Sequence, residues 1–143
     1  GDGHNDIITS NAHKYGIFWY RQERTGGRTA WKKNIIDTSW SQAHSLALGD
    51  IDGDGTPDLV AGKRFMAHNG GDPGSSDPIG VYWYRLTRKG GPRWTRHVIS
   101  RGEGIGAGLN IPLADLDGDG DLDIVVTGKW GGPVLFENMT EKS

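Results

Sequence analysis

Short apolar runs alternate with polar, glycine-rich connections along the whole chain. The runs Ile7-Ile8-Thr9, Leu59-Val60-Ala61 and Ile124-Val125-Val126 are brief, aliphatic and bounded by turn formers. That is the pattern of buried strands. A second set starts at a glycine and is aromatic: Gly16-Ile17-Phe18-Trp19-Tyr20-Arg21, Gly80-Val81-Tyr82-Trp83-Tyr84-Arg85 and the weaker Gly132-Pro133-Val134-Leu135-Phe136-Glu137. A third set, Trp31-Lys32-Lys33-Asn34-Ile35-Ile36 and Trp94-Thr95-Arg96-His97-Val98-Ile99, follows the first two copies. Ser45-Leu46-Ala47-Leu48 and Asn110-Ile111-Pro112-Leu113 add a strand ahead of the second and third copies. The unit is therefore four strands joined by short turns, repeated along the chain.

Before each aliphatic run lies an acidic glycine loop. It is complete at Asp50-Ile51-Asp52-Gly53-Asp54-Gly55-Thr56-Pro57-Asp58 and Asp115-Leu116-Asp117-Gly118-Asp119-Gly120-Asp121-Leu122-Asp123, and partial at Asp2-Gly3-His4-Asn5-Asp6. The repeat measures 52 residues from Asp6 to Asp58 and 65 from Asp58 to Asp123. Four-stranded antiparallel units at such periods predict an all-β chain of β-propeller blades. The strand count gives about two and a half blades of a larger, seven-bladed propeller: residues 1–40 a blade lacking its first strand, 41–104 a complete blade, 105–143 a last blade lacking its outer strand. The missing strands would come from the remaining blades of a parent chain, or from self-association.

From loop end to the glycine-led strand the three copies use 10, 22 and 9 residues, so the middle copy carries an insertion over 65–79. The antiparallel path places this insertion on the face opposite the acidic loops. His13, Lys14, Trp40, Gln42, His44, Lys129 and Trp130 belong to the same face. Trp19, Trp31, Trp83 and Trp94 recur at repeat positions and are expected to pack between blades; Trp40 and Trp130 do not recur.

Carboxylates at loop positions 1, 3, 5 and 9 suit an ion that takes six to eight oxygen ligands, with a backbone carbonyl at position 7 from Thr56 and Asp121. The expected metal residues are Asp50, Asp52, Asp54, Thr56 and Asp58, then Asp115, Asp117, Asp119, Asp121 and Asp123, with Asp2 and Asp6 in the partial loop. The ion is Ca²⁺. An EF-hand does not fit, because Ala61 and Val126 stand where its closing glutamate would be and strands flank the loop.

These loops resemble the FG-GAP or VCBS-type repeats of calcium-binding β-propellers, related to the propeller of integrin α-chains. The resemblance implies a loop between the first and second strands of each blade, and a role as adhesion module, lectin-like binder or enzyme scaffold.

Composition changes the picture in two places. Eleven of the 18 acids lie in the loops, so a calcium-loaded chain presents 16 Lys and Arg against few remaining acids. Such a surface attracts acidic polysaccharides, although Arg24, Arg28, Arg88, Lys89 and Arg93, in turns on the loop face, can simply balance the carboxylates. Cysteine is absent, which removes disulfide and thiolate chemistry. No recognition motif supports nucleic-acid binding, and no run reaches the roughly 18 apolar residues of a membrane span. Gly102 to Gly108 fails as a dinucleotide fingerprint, since a strand and not a helix follows.

Three functions fit. The first is an extracellular binding module for carbohydrate or a partner protein, with Trp40, His44, Lys63, Arg64, His68, Asn69 and Trp130 as ligand residues. The second is a carbon–oxygen lyase acting on sugars, in which His44 or His68 abstracts a proton while Lys63 and Arg64 stabilise the enolate. The third is a structural assembly piece. Calcium use favours a secreted, periplasmic or cell-surface setting, where millimolar calcium fills weak oxygen sites.

Overall fold

The structure is a computed structural model that describes residues 3–128 and 132–140. Three antiparallel sheets follow one another along the chain. The first contains β1 (Ile7–Ser10), β2 (Tyr15–Thr25) and β3 (Arg28–Ser41) in that order. The second contains β4 (Ala43–Gly49), β5 (Asp58–Lys63), β6 (Gly80–Thr87) and β7 (Arg93–Arg101), again in sequence order. The third contains β8 (Leu113–Ala114), β9 (Asp123–Val126) and β10 (Val134–Phe136). Meandering sheets of this kind are propeller blades. Among the described residues the sole helical piece is a 3-10 turn at Ala67–Gly70, and no helix is long and apolar enough to cross a membrane.

Register repeats as the sequence does. Ile7 faces Tyr20, Leu59 faces Tyr84 and Ile124 faces Phe136, each pair an aliphatic residue just past the acidic loop against the fourth residue after the leading glycine. The third sheet departs from expectation at its first strand. The run Asn110 to Leu113 forms strand only at Leu113–Ala114, because Pro112 has no N–H to give; its carbonyl still accepts from Val125 at 3.0 Å.

Packing explains why β5 reads as a continuous apolar run. Leu59 and Ala61 point into a core shared with the first blade, alongside Ile17, Trp40, Ala43, Tyr82 and Tyr84. Val60, one residue out of phase, points into a core shared with the third blade, alongside Ile51, Val81, Ala107, Ile111, Ile124 and Val126. A strand buried on both faces has no reason to alternate with polar residues. Blades approach so closely that a Cβ on Gly62 would lie 2.2 Å from the Cβ of Ala107.

The recurring tryptophans divide. Trp94 packs against the first core and Trp83 against the second. Trp19 instead donates its indole N–H to Asp6 at 2.8 Å. Trp31 is 45% exposed and joins neither core.

A polar network locks the first two blades together. The Trp40 indole N–H donates to the Tyr84 hydroxyl at 2.7 Å, which donates to Asp37 at 2.7 Å. Arg96 donates to the same Asp37 oxygen at 3.0 Å and to Ser39 Oγ at 2.6 Å. Burial alone would raise the Asp37 carboxyl, but the Ser39 backbone N–H, the Tyr84 hydroxyl and Arg96 outweigh it and hold the group low.

Candidate metal loops and insertion-face pocket

Each acidic loop is wound by its own carboxylates. Asp50 accepts from the backbone N–H of Asp54 at 3.0 Å and of Gly55 at 2.8 Å; Asp115 accepts from Gly118 at 2.7 Å and Gly120 at 2.9 Å. At position 5, Asp54 accepts from Thr56 N–H at 2.8 Å and Asp119 from Asp121 N–H at 3.0 Å. The turns require a left-handed backbone at Gly53, Gly55, Gly118 and Gly120, which glycine supplies without steric cost.

The position-9 aspartate does something its sequence pattern did not disclose. Asp58 accepts from the backbone N–H groups of Ile51 and Leu86, and Asp123 from those of Leu116 and Asn138. Asp6 accepts from Gln22 N–H at 2.9 Å. Gln22, Leu86 and Asn138 all lie six residues past the leading glycine of their blades, so each clamp ties the loop to the same point of the glycine-led segment, within β2 and β6 and just beyond β10. Burial pushes the Asp58 carboxyl up against the pull of those N–H groups.

Oxygen donors converge in both complete loops. Ligand atoms of Asp50, Asp52 and Asp58 lie within 4.8 Å of one another, as do those of Asp115, Asp117 and Asp119. Hard carboxylate oxygens at this spacing fit Ca²⁺ or Mg²⁺. The loops differ in what balances them. Arg85 pairs with Asp52 at 2.6 Å and with Asp54 at 3.3 Å, and the corresponding position after the third glycine is Glu137. The second loop thus carries a built-in counter-cation that the third replaces with another acid. Asp2 lies outside the described residues.

On the opposite face the insertion is folded over the first blade. Gln42 donates to Ser75 Oγ at 2.9 Å and to the Pro73 carbonyl at 3.3 Å, and Tyr15 donates to Asp77 at 3.2 Å. Gly74, with φ +70°, lets the loop come close: a Cβ there would sit 2.3 Å from Ser41 Oγ and 2.8 Å from the Tyr15 hydroxyl.

Two of the expected ligand residues have other duties. Lys63 is buried, and its ammonium donates to the Ser41 carbonyl and Oγ and to the Gly74 carbonyl at 2.9 to 3.2 Å. It is a strut beneath the insertion, with its pKa lowered by burial, and is not among the residues that line the cavity described below. Trp40 is 7% exposed in the core between blades, so its face is not free to stack on a sugar. Trp130 and Lys129 lie outside the described residues.

The remaining candidates do meet. His44, Arg64, His68 and Asn69 line a cavity of ≈ 640 Å³ together with Phe65, Met66, Ala67, Gly108, Leu109, Thr127 and Gly128. Residues from the insertion form one wall and residues flanking the third blade form the other. Burial, followed by the neighbouring Arg64 charge, lowers the His44 pKa against the pull of the Gly108 backbone, so its imidazole is neutral at neutral pH.

The sheets and the paired acidic loops define a β-propeller repeat chain. Residues 1–61 match the family model described as FG-GAP-like repeat. Human integrin alpha-IIb is 31% identical over 99 residues, covering 63% of this chain and 9% of that protein. Drosophila melanogaster integrin alpha-PS2 is 35% identical over 99 residues, covering 63% of this chain and 7% of its own length. No solved structure matches the chain. Residues 1–61 thus carry an FG-GAP-like repeat, and the chain spans less than a tenth of the length of these relatives.

Proposed function

We propose that this chain is a calcium-binding segment of an extracellular β-propeller that captures a ligand, an acidic carbohydrate, on its insertion face. The ≈ 640 Å³ cavity carries the reading. Its size falls within the roughly 300–1,000 Å³ of small-molecule sites, and such sites combine apolar walls with a few polar groups. Phe65, Met66 and Leu109 offer apolar surface to a sugar ring, while Arg64 and Asn69 offer donors to carboxylate and hydroxyl groups. Calcium in the opposite loops would neutralise their carboxylates and leave the basic side chains to set the field around the cavity. The integrin relatives support a setting outside the cell and a larger parent chain.

The test is calorimetric titration of the protein, in calcium, with oligogalacturonates. Binding that weakens at least about tenfold in Arg64→Gln supports the carbohydrate reading; it is overturned by the absence of binding, which leaves a protein ligand for the same face. A second reading is favoured by one observation. His44 lines the cavity and is kept neutral, as a general base must be. Proton abstraction beside a uronate carboxyl followed by loss of the β-oxygen substituent would give an unsaturated sugar. A rise in near-ultraviolet absorbance that His44→Ala abolishes would establish that lyase.

A further inference from the structure

The acidic loops are not where the most varied set of metal donors gathers. His13, in the β1–β2 connection, and His68, in the insertion, converge on the carboxylate of Asp72. His13 Nδ1 is 3.0 Å from Oδ2, His68 Nδ1 is 3.1 Å from Oδ1, and the three ligand atoms lie within 4.8 Å of one another. The two imidazoles are stacked, with centroids 4.7 Å apart and planes 6° from parallel.

We propose that His13, His68 and Asp72 form a binding site for a divalent transition metal of the Zn²⁺ class, which pins the insertion to the first blade.

Donor spacing supports it. Tetrahedral Zn²⁺ with ligands at roughly 2.0–2.2 Å puts ligand atoms about 3.3 Å from one another; the two histidines approach different Asp72 oxygens, and with all three ligand atoms within 4.8 Å, side-chain rotation brings one oxygen and both nitrogens to a single ion. Donor type selects the ion: two imidazole nitrogens and one carboxylate suit Zn²⁺, Ni²⁺ or Cu²⁺ and not the calcium of the acidic loops. Three protein ligands leave a fourth position for water or for an oxygen of a bound molecule, and His68 also lines the cavity.

Hydrogen bonding alone does not satisfy the group. His13 Nδ1 faces the Asp72 oxygen and also the Nη2 of Arg64 at 3.1 Å, and that Nη2 reaches the same Asp72 oxygen only at 3.5 Å. If Nδ1 carries a proton it suits the carboxylate and opposes the guanidinium; if it carries a lone pair it suits the guanidinium and opposes the carboxylate. A cation coordinated by Nδ1 and the carboxylate resolves the conflict by displacing Arg64. His68 is moreover held with φ 48° and ψ 44°, between Met66 at φ 42° and Asn69 at φ 55°. Left-handed non-glycine residues of this kind persist where surrounding structure over-determines them.

The site is independent of the carbohydrate reading, and its test uses metal alone. The chain, saturated with Ca²⁺ so that the acidic loops are filled, is titrated calorimetrically with Zn²⁺. One calcium-resistant site per chain is expected, weakened at least about tenfold in His13→Gln and in His68→Gln and unchanged in His97→Gln. Both histidine side chains are at least half exposed, so these variants leave the cores intact. Absence of calcium-resistant Zn²⁺ binding, or wild-type affinity in either His13→Gln or His68→Gln, overturns the proposal and leaves the three residues as a hydrogen-bonded staple.

Discussion

Replacing Tyr84 by phenylalanine removes one oxygen from the junction between the first two blades and leaves the ring packing unchanged. That oxygen accepts from the Trp40 indole and donates to the Asp37 carboxylate, each at 2.7 Å. Trp40 is 7% exposed and Tyr84 1%, so water cannot easily replace either partner. Losing a hydrogen bond to a charged group costs about 1.5–3 kcal/mol, and stranding a buried donor costs about 1–3 kcal/mol. Part of these two costs overlaps, and a combined loss of roughly 2–4 kcal/mol is expected. Urea unfolding in calcium measures it, and the melting temperature should fall by roughly 6–15 °C for a chain of this size. The pH dependence carries a second signature. Asp37 has a folded pKa below its unfolded value, so its contribution is present above about pH 4 and lost as pH falls through the folded pKa. Without the Tyr84 hydroxyl the depression shrinks, and the gap between wild type and variant should narrow below about pH 4, leaving the Trp40 component. A variant within about 0.5 kcal/mol of wild type would refute the reasoning, because that is the range of neutral surface changes. A gap that stays constant from pH 7 to pH 3 would refute the part assigned to the carboxylate.

Other expectations follow from the same geometry. Gly62→Ala forces a methyl group against Ala107 between the second and third blades, and overpacking of this kind costs about 1–3 kcal/mol, read by the same urea titration. Arg85→Gln should tighten Ca²⁺ binding by the second loop roughly thirtyfold, because a unit charge about 4 Å from a divalent ion is worth about 2 kcal/mol in water; displacement of Tb³⁺ luminescence by Ca²⁺ detects it, and an unchanged affinity would show that Arg85 does not compete for Asp52 and Asp54. Calcium removal by chelation should lower the melting temperature, and Asp117→Asn should abolish part of that response. Lys63→Met, which keeps the length of the stem, should loosen the insertion and raise proteolytic cleavage between Phe65 and Ile79, while unchanged cleavage would deny the strut role.

How much was legible depended on whether a residue acts within its own segment. The aliphatic runs, the glycine-led aromatic strands and the acidic loops are local patterns with local causes: a strand needs side chains for its faces, a tight loop needs glycine, and a hard cation needs adjacent carboxylates. The repeat of those patterns carried the blade architecture, because each blade obeys the same register. Only the tertiary structure decided what happens between segments. It placed Trp40 in a core and Lys63 under the insertion, because burial depends on what the neighbouring blade brings to the same spot. It gave the position-9 aspartates a clamp on the glycine-led segment, at a residue 15 or more away in sequence. It also brought His13 within reach of an aspartate 59 residues further on, a meeting that neither segment announces, since a histidine in a hairpin and an aspartate before a proline are each ordinary turn residues. Repetition makes a sequence readable along the chain; the chemistry of this face arises where one blade breaks the repeat and folds onto another.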